Sequence, residues 1–316
     1  MDEKELSVAL SAQKVLSQVR SVVVGKDGVL QWVLAAILAR GHILLEDIPG
    51  VGKTTMALAF SRSLGLHHNR MQFTPDVLPS DVTGYNIPGA DGTMVYRAGS
   101  VLCNLFLADE LNRATSRTQA ALLEAMEEGQ VTVDGVTHKL PEPFTVIATQ
   151  NPSGAAGTQL LPDSQLDRFL VRLSLGYPSA ADEIAMVRNR QGWDPMKAVE
   201  KVMTGEELLQ VRQIVDSTFV SQEIIAYAVA LTGATRTSEL IARGASPRAS
   251  LALVSISKAV AQLRGRDYVV PKDIQEAFLP VVAHRILLSA KAQGQALTPE
   301  GVLKNLLRTV AVPRIR

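Results

Sequence analysis

Apolar residues recur at helical spacing over 7–20 and again over 28–40, so two helices open the chain. A short apolar run at 42–46 (HILLE) follows, and glycines and a further helical segment come directly after it. Similar runs stand at 71–73 (MQF), 104–109 (NLFLAD), 144–149 (FTVIAT) and 169–175 (FLVRLSL). Helix-like stretches separate them, notably 116–129, where Gly129 is placed to close the helix. Short apolar strands alternating with helices predict an α/β fold with a parallel sheet covered on both faces. Two segments interrupt the alternation. Residues 84–96 carry turn signals between extended pieces, and in 129–140 Val131 and Val133 alternate ahead of Asp134-Gly135; both predict hairpins. Beyond about 181 the pattern is helical only, over 181–191, 204–217, 221–234, 247–264, 271–290 and 298–309. The chain therefore divides near 178, into an α/β core (1–178) and an all-helical second unit (179–316).

Composition narrows the function classes. The chain has 316 residues and a formal charge of +1, which gives no bulk attraction to nucleic acid or to an anionic membrane. A single cysteine, Cys103, excludes an intrachain disulfide framework and a cysteine-rich zinc site. The acidic start MDEKELSVAL lacks the basic region of a signal peptide, and the longest apolar stretch, 29–39, is too short for a membrane span. A cytoplasmic protein is expected.

Five segments carry candidate chemistry. The first, LLEDIPGVGKTTMAL (44–58), is a phosphate-loop pattern in which Asp47 stands at the first glycine position. The loop follows a strand and opens a helix, a setting that aims backbone N–H groups at an anion. Gly50 and Gly52 allow close approach, Lys53 would reach the β/γ-phosphates and Thr54 would ligate Mg²⁺. Pro49 would stiffen the bend. The alternative is a plain strand-to-helix turn with an exposed lysine. The second segment is LFLADELNR (105–113), an apolar strand running into Asp109, which would hold the Mg²⁺ shell, and Glu110, which would deprotonate the attacking water. The third, TVIATQNP (144–152), ends in Gln150-Asn151, amides that suit a γ-phosphate or simply a turn. The fourth, QLDRFLVRL (165–173), holds Arg168, which nothing local distinguishes from a surface arginine. In the fifth, GASPRASLAL (244–253), Ser246 is a good N-cap and Pro247 a good first helical residue. Arg248 then lies in the first turn, where the helix dipole disfavours a cation, so it either faces an anion or is solvated.

In this order and spacing the segments resemble an AAA+ ATPase. FTPDVLPSDVTGYNI, LADELNRATSRTQAALLEAMEEGQVTVDG, ATQNPSGAAGTQLLPDSQLDRF and GASPRASLAL resemble the MoxR family more narrowly, over about 23–285. Asp47 is usual in that family. The resemblance implies a P-loop core with a five-stranded parallel sheet, helix-2-insert and pre-sensor hairpins, and a C-terminal helical lid. It implies ATP and Mg²⁺ as cofactors, with Pro49, Gly50, Val51, Gly52, Lys53, Thr54 and Thr55 around the phosphates and Val24 and Gly25 flanking the adenine. Thr54 and Asp109 would hold the metal. Glu110 would be the base, Asn151 the sensor-1 residue, Arg168 an arginine finger acting across a subunit boundary, and Arg248 the sensor-2 arginine, acting in cis or in trans. Arg113 stands where relatives often place a second intersubunit arginine. Asp163 replaces the usual Glu in the finger-bearing loop. The implied assembly is a homo-oligomeric ring, usually a hexamer, with a von Willebrand factor A domain protein as partner and a client protein to remodel.

Other readings compete. Helicases of the minichromosome maintenance type share both hairpins, but here the second offers only His138 and Lys139, and no basic-aromatic tract flanks it, so nucleic acid is not the expected partner. A magnesium-chelatase-like ATPase subunit has no feature selecting it. A nucleotide-gated module without turnover conflicts with catalytic positions that all hold competent residues.

Overall fold

The computed structural model describes residues 7–48, 50–151, 161–189 and 194–314. The chain runs α1 (Val8–Arg20), α2 (Asp27–Leu38), β1 (Ile43–Glu46), α3 (Lys53–Ser63), β2 (His68–Gln72), α4 (Pro79–Thr83), β3 (Gly84–Pro88), β4 (Met94–Ala98), β5 (Leu105–Asp109), α5 (Ser116–Glu128), β6 (Gln130–Val133), β7 (Val136–Lys139), β8 (Thr145–Gln150), α6 (Asp163–Leu166) and β9 (Val171–Leu173). It continues through α7 (Ala180–Asn189), α8 (Gly205–Asp216), α9 (Gln222–Thr237), β10 (Ile241–Arg243), α10 (Pro247–Leu263), α11 (Pro271–Val282), β11 (Leu287–Leu288), α12 (Ala290–Gly294) and α13 (Pro299–Thr309).

The expected five-stranded sheet is present, in the order β2-β5-β8-β1-β9, with every pairing parallel. The inner strands β1, β5 and β8 are almost wholly buried and largely apolar because both faces of the sheet are covered there, while the edge strand β2 is polar. Successive residues serve opposite faces: Ile43 and Leu45 join one apolar cluster, and Leu44 joins the other. The second cluster lies against α5 through Leu122, Leu123 and Met126. The first is continuous from α1 and α2 across one sheet face and on to Leu253, Ile256 and Phe278 of α10 and α11. Buried Arg212 of α8 crosses the same region, donating to Ile37 O (2.9 Å) and Thr145 Oγ1 (2.9 Å). Burial lowers its pKa to about 10.

Both hairpins form, as β3–β4 and β6–β7. They are joined to each other. Tyr96 and His138 stack with ring centroids 3.6 Å apart at 10°, and Asn86 Nδ2 donates to Asp134 Oδ2 at 2.7 Å.

The helical reading of 271–290 needs correction. Helix α11 ends at Val282, and Leu287–Leu288 pair antiparallel with Ile241–Arg243. Pro280 removes one N–H from the last turn. The Val281 carbonyl, which a continuing helix would offer to the Arg285 N–H, instead accepts from the buried Arg285 guanidinium. That guanidinium also donates to Leu170 O (3.2 Å), Phe169 O (2.6 Å) and Asp167 Oδ1 (2.7 Å), so the chain turns here to clasp the segment ahead of β9.

Candidate active site

The carboxyl ends of β1, β5 and β8 converge, and they bring together Lys53, Asp109, Glu110 and Asn151. This edge of an open parallel sheet is where such folds bind ligands. After β1 the loop turns through Gly50 (φ +88°) and Gly52 (φ +95°), left-handed conformations that a side chain would strain. A Cβ at either glycine would meet nothing within 4 Å, so the loop presents bare main chain to open space. Helix α3 starts at Lys53 without a side-chain cap, which leaves its first-turn N–H groups for an outside acceptor. Pro49 lies outside the described residues.

Lys53 is buried, and its Nζ donates to Asp47 O at 3.0 Å. Burial lowers its pKa, opposed by the charges of Asp109, Asp47 and Glu110. The Asp47 carboxylate stays out of the loop. It accepts from Ser174 Oγ (2.8 Å), Leu175 N (2.6 Å) and Gly176 N (3.0 Å) instead.

Asp109 Oδ1 accepts from Thr149 Oγ1 (2.6 Å), and Oδ2 accepts from Arg70 Nη2 (2.7 Å). Glu110 sits at φ +55°, costly for a side-chain-bearing residue, and its N–H donates to Thr149 Oγ1 at 2.8 Å. Its carboxylate accepts from Arg113 Nη1 at 2.9 Å, so Arg113 pairs within its own chain. Asn151 is held through its backbone by Asn112, and its buried Oδ1 has no partner among the described residues. The rest of the predicted Asn-Pro segment, 152–160, lies outside them.

Val24 stands beside the loop. Val24, Val51, Gly52, Thr55, Pro178 and Met186 line a cavity of about 50 Å³. Thr54 and Thr55 also border an adjoining cavity of about 250 Å³ with Arg62. Gly25 (φ +74°) is closely covered: a Cβ there would collide with the Asp182 carboxylate. Lys26 Nζ donates to Tyr177 O at 2.8 Å.

Arg168 and Arg248 are elsewhere. Arg168 precedes β9, at the amino edge of the sheet, because Val171 pairs with Ile43 at the start of β1. Arg248 opens α10, and both arginines bind Glu127 of α5, Arg168 Nη1 at 3.1 Å. Arg168 Nη1 also donates to Leu123 O at 2.8 Å. The anion that Arg248 faces in this structure is therefore a carboxylate of its own chain. Those two cations hold the Glu127 pKa below the usual carboxylate range, Arg248 more strongly. Arg40, His42, Glu127, Arg168, Arg248 and Leu251 line a cavity of about 300 Å³ at this edge. Ser246 caps α10 by position only: its side chain accepts no helix N–H, and its Oγ donates to Asp167 Oδ2 (2.9 Å).

Sequence reasoning missed Arg70, Thr149, Asn112 and Glu127. Thr149 had a local signal, a polar residue near the end of an apolar strand, whereas Arg70, in the polar edge strand His68–Gln72, had none. Glu127 sits in an acidic helix end and had none.

A parallel sheet of this order, with a glycine loop after its first strand and a helical lid, is the architecture of AAA ATPases. The family model described as ATPase family associated with various cellular activities (AAA) matches residues 42–171, and that of the AAA lid domain matches 233–306. Chaperone MoxR1 of Mycobacterium tuberculosis is 38% identical over 96% of this chain and 82% of its own length. The uncharacterized protein YeaC of Bacillus subtilis is 43% identical over 95% and 94%. The crystal structure of a candidate ATPase from Cytophaga hutchinsonii superposes with a TM-score of 0.91 at 34% identity, covering 99% of this chain and 98% of that one. The chain belongs to the MoxR family of AAA+ ATPases. No helix among the described residues is long and apolar enough to cross a membrane.

Proposed function

We propose that this protein hydrolyses ATP with Mg²⁺ as a ring of identical subunits and uses the cycle to remodel client proteins. The observation that carries the reading is the separation of its charged groups. Lys53, Asp109 and Glu110 lie at one end of the sheet; Arg168 and Arg248 lie together at the other. A four-residue strand such as β1 puts roughly 13 Å between those ends. The two arginines of one chain therefore serve the phosphate loop of the next, both in trans, and each site is completed at a heterologous contact that can close into a ring.

The residues present fit the implied cofactors. Bare loop glycines and open helix N–H groups suit polyphosphate, and the orphaned Asn151 Oδ1 suits a water or phosphate partner. Gly50, Val51, Gly52, Lys53, Thr54 and Thr55 would hold the phosphates, with Val24 and Gly25 at the base. Asp109 and Thr54 would hold Mg²⁺, which when bound supplies a Lewis acid at the phosphates. Lys53 exchanges Asp47 O for a phosphate oxygen. Glu110, released from Arg113, accepts the proton of the attacking water. Arg168 and Arg248 release Glu127 and neutralise charge developing in the neighbour's site.

The remodelling role is extended from the chaperone name of the tuberculosis relative, and a von Willebrand factor A domain partner from the family resemblance. The paired hairpins support it: Tyr85, Met94, Val95 and Val136 are exposed on them, apolar groups that suit contact with polypeptide. The six-fold ring, the cytoplasmic location and the division into a core (1–178) and a lid (179–316) belong to the same reading. Mg²⁺-dependent phosphate release measured against protein concentration tests it. The rate per subunit should rise steeply with assembly; a rate independent of concentration in strictly monomeric protein would exclude the trans arginines.

A further inference from the structure

Asp47 touches three parts of the molecule. Its N–H donates to Gln150 O at the end of β8 (3.3 Å), and its carbonyl accepts from Lys53 Nζ (3.0 Å). Its buried carboxylate accepts from Ser174 Oγ, Leu175 N and Gly176 N. Residues 174–176 lead from β9 into Tyr177-Pro178 and α7, the connection between the sheet and the helical unit. A glycine at position 47, the usual occupant of that place in a phosphate loop, would leave two backbone N–H groups of this connection without an acceptor.

The same connection is tethered again where Lys26 Nζ meets Tyr177 O. Between the two tethers lies the cavity of about 50 Å³, bounded by Val22–Val24 on one side and Pro178 and Met186 on the other. A nucleotide base entering here would press against Pro178 and Met186, at the start of α7.

We infer that Asp47 is a positioning residue that couples engagement of Lys53 by phosphate to movement of the 174–178 connection. The inference rests on the nucleotide reading above and assigns to this chain a relay that a glycine-first loop lacks. When Lys53 turns to phosphate, the Asp47 carbonyl loses its partner and the peptide is free to rotate. The carboxylate, held by three donors, carries that rotation into residues 174–176 and from there into α7. The three donors also keep the negative charge directed away from the loop, so Asp47 does not repel the polyphosphate.

Hydrogen exchange of peptides covering 174–189 tests the relay, read in full-length protein with ADP and with a nonhydrolysable ATP analogue. Wild-type protein should show different protection in the two states. Asp47→Gly and Asp47→Asn should bind both nucleotides with near wild-type affinity, lose the difference, and lower kcat by about tenfold to a hundredfold with KM little changed. An Asp47→Gly protein that keeps the difference and the wild-type kcat overturns the inference. Should both variants melt below the assay temperature, Ser174→Ala decides, because it removes only the side-chain donor. A reduced difference supports the relay, and an unchanged one overturns it. Failure of the wild-type protein to bind either nucleotide would instead overturn the nucleotide reading.

Discussion

The two ends of the central sheet carry opposite halves of one charge pattern, and each half is quenched by a local counter-ion. At the carboxyl end the acidic groups face arginines of their own chain: Asp109 meets Arg70, and Glu110 meets Arg113. At the amino end two arginines share one carboxylate, Glu127. All four of these arginines keep side-chain exposures between 30% and 49%. The pairs on Glu127, itself 35% exposed, contribute only about 0–1 kcal/mol each, whereas Asp109 (12%) and Glu110 (18%) are more shielded from water. The amino end is therefore the more loosely held of the two. Arg168 and Arg248 are held by contacts that another anion could replace at low cost.

The comparison breaks most severely at Arg168. Arg168→Ala should lower kcat by about 10³ to 10⁵ while leaving nucleotide affinity of the dispersed subunit unchanged. Mixing it with Lys53→Ala should restore turnover, since each supplies the half the other lacks; no rescue would place the arginine in its own subunit's site. Glu110→Gln should lower turnover by about 10² to 10⁴ and trap bound ATP, seen by filter retention of labelled nucleotide.

Acid should weaken the amino end specifically. His42, half-buried there, donates from Nε2 to Met126 O and accepts at Nδ1 from Val146 N (3.0 Å), which fixes a neutral ring. Burial lowers its pKa to about 4, opposed by the Met126 bond and assisted by Arg212. The unfolded chain therefore binds a proton first. This contribution is complete above the ordinary value of 6.5 and is lost as pH falls toward 4, by roughly 3 kcal/mol at pH 4. Denaturant titrations at pH 7 and pH 4.5 should show the loss, and His42→Gln should reduce the dependence. The smallest effect is expected at Ser246→Ala, which removes the bond to Asp167 and should cost about 1 kcal/mol in chemical unfolding.

The carboxyl end was far more legible in the sequence than the amino end. Its parts lie at strand termini with their own local chemistry: a Gly-Lys-Thr turn, an Asp-Glu pair after an apolar run, an Asn after another. Each hairpin also announced itself, through Asp134-Gly135 and through the turn residues of 84–96. What escaped depends on residues distant in the chain. Helix α11 stops because the Arg285 side chain takes the Val281 carbonyl in order to reach Asp167 and Phe169, more than a hundred positions earlier. Periodicity over 271–290 carries no trace of that contact. Strand β2 begins three residues ahead of the predicted MQF run because His68–Gln72 alternates between exposed and half-buried positions at the sheet edge. The Ser246 cap misled for a related reason, since its hydroxyl is oriented toward Asp167, a carboxylate brought in by tertiary folding.

The ring stack of Tyr96 on His138 has a mechanical corollary. Two slender ribbons that would each bend alone are bolted side by side, and a braced pair is stiffer than either member. Load applied to one tip is shared by the other and delivered to α5 and the sheet at two roots instead of one. Grafting or deleting a single ribbon would therefore leave a compliant half of the part, and engineering of this region has to treat the pair as one component.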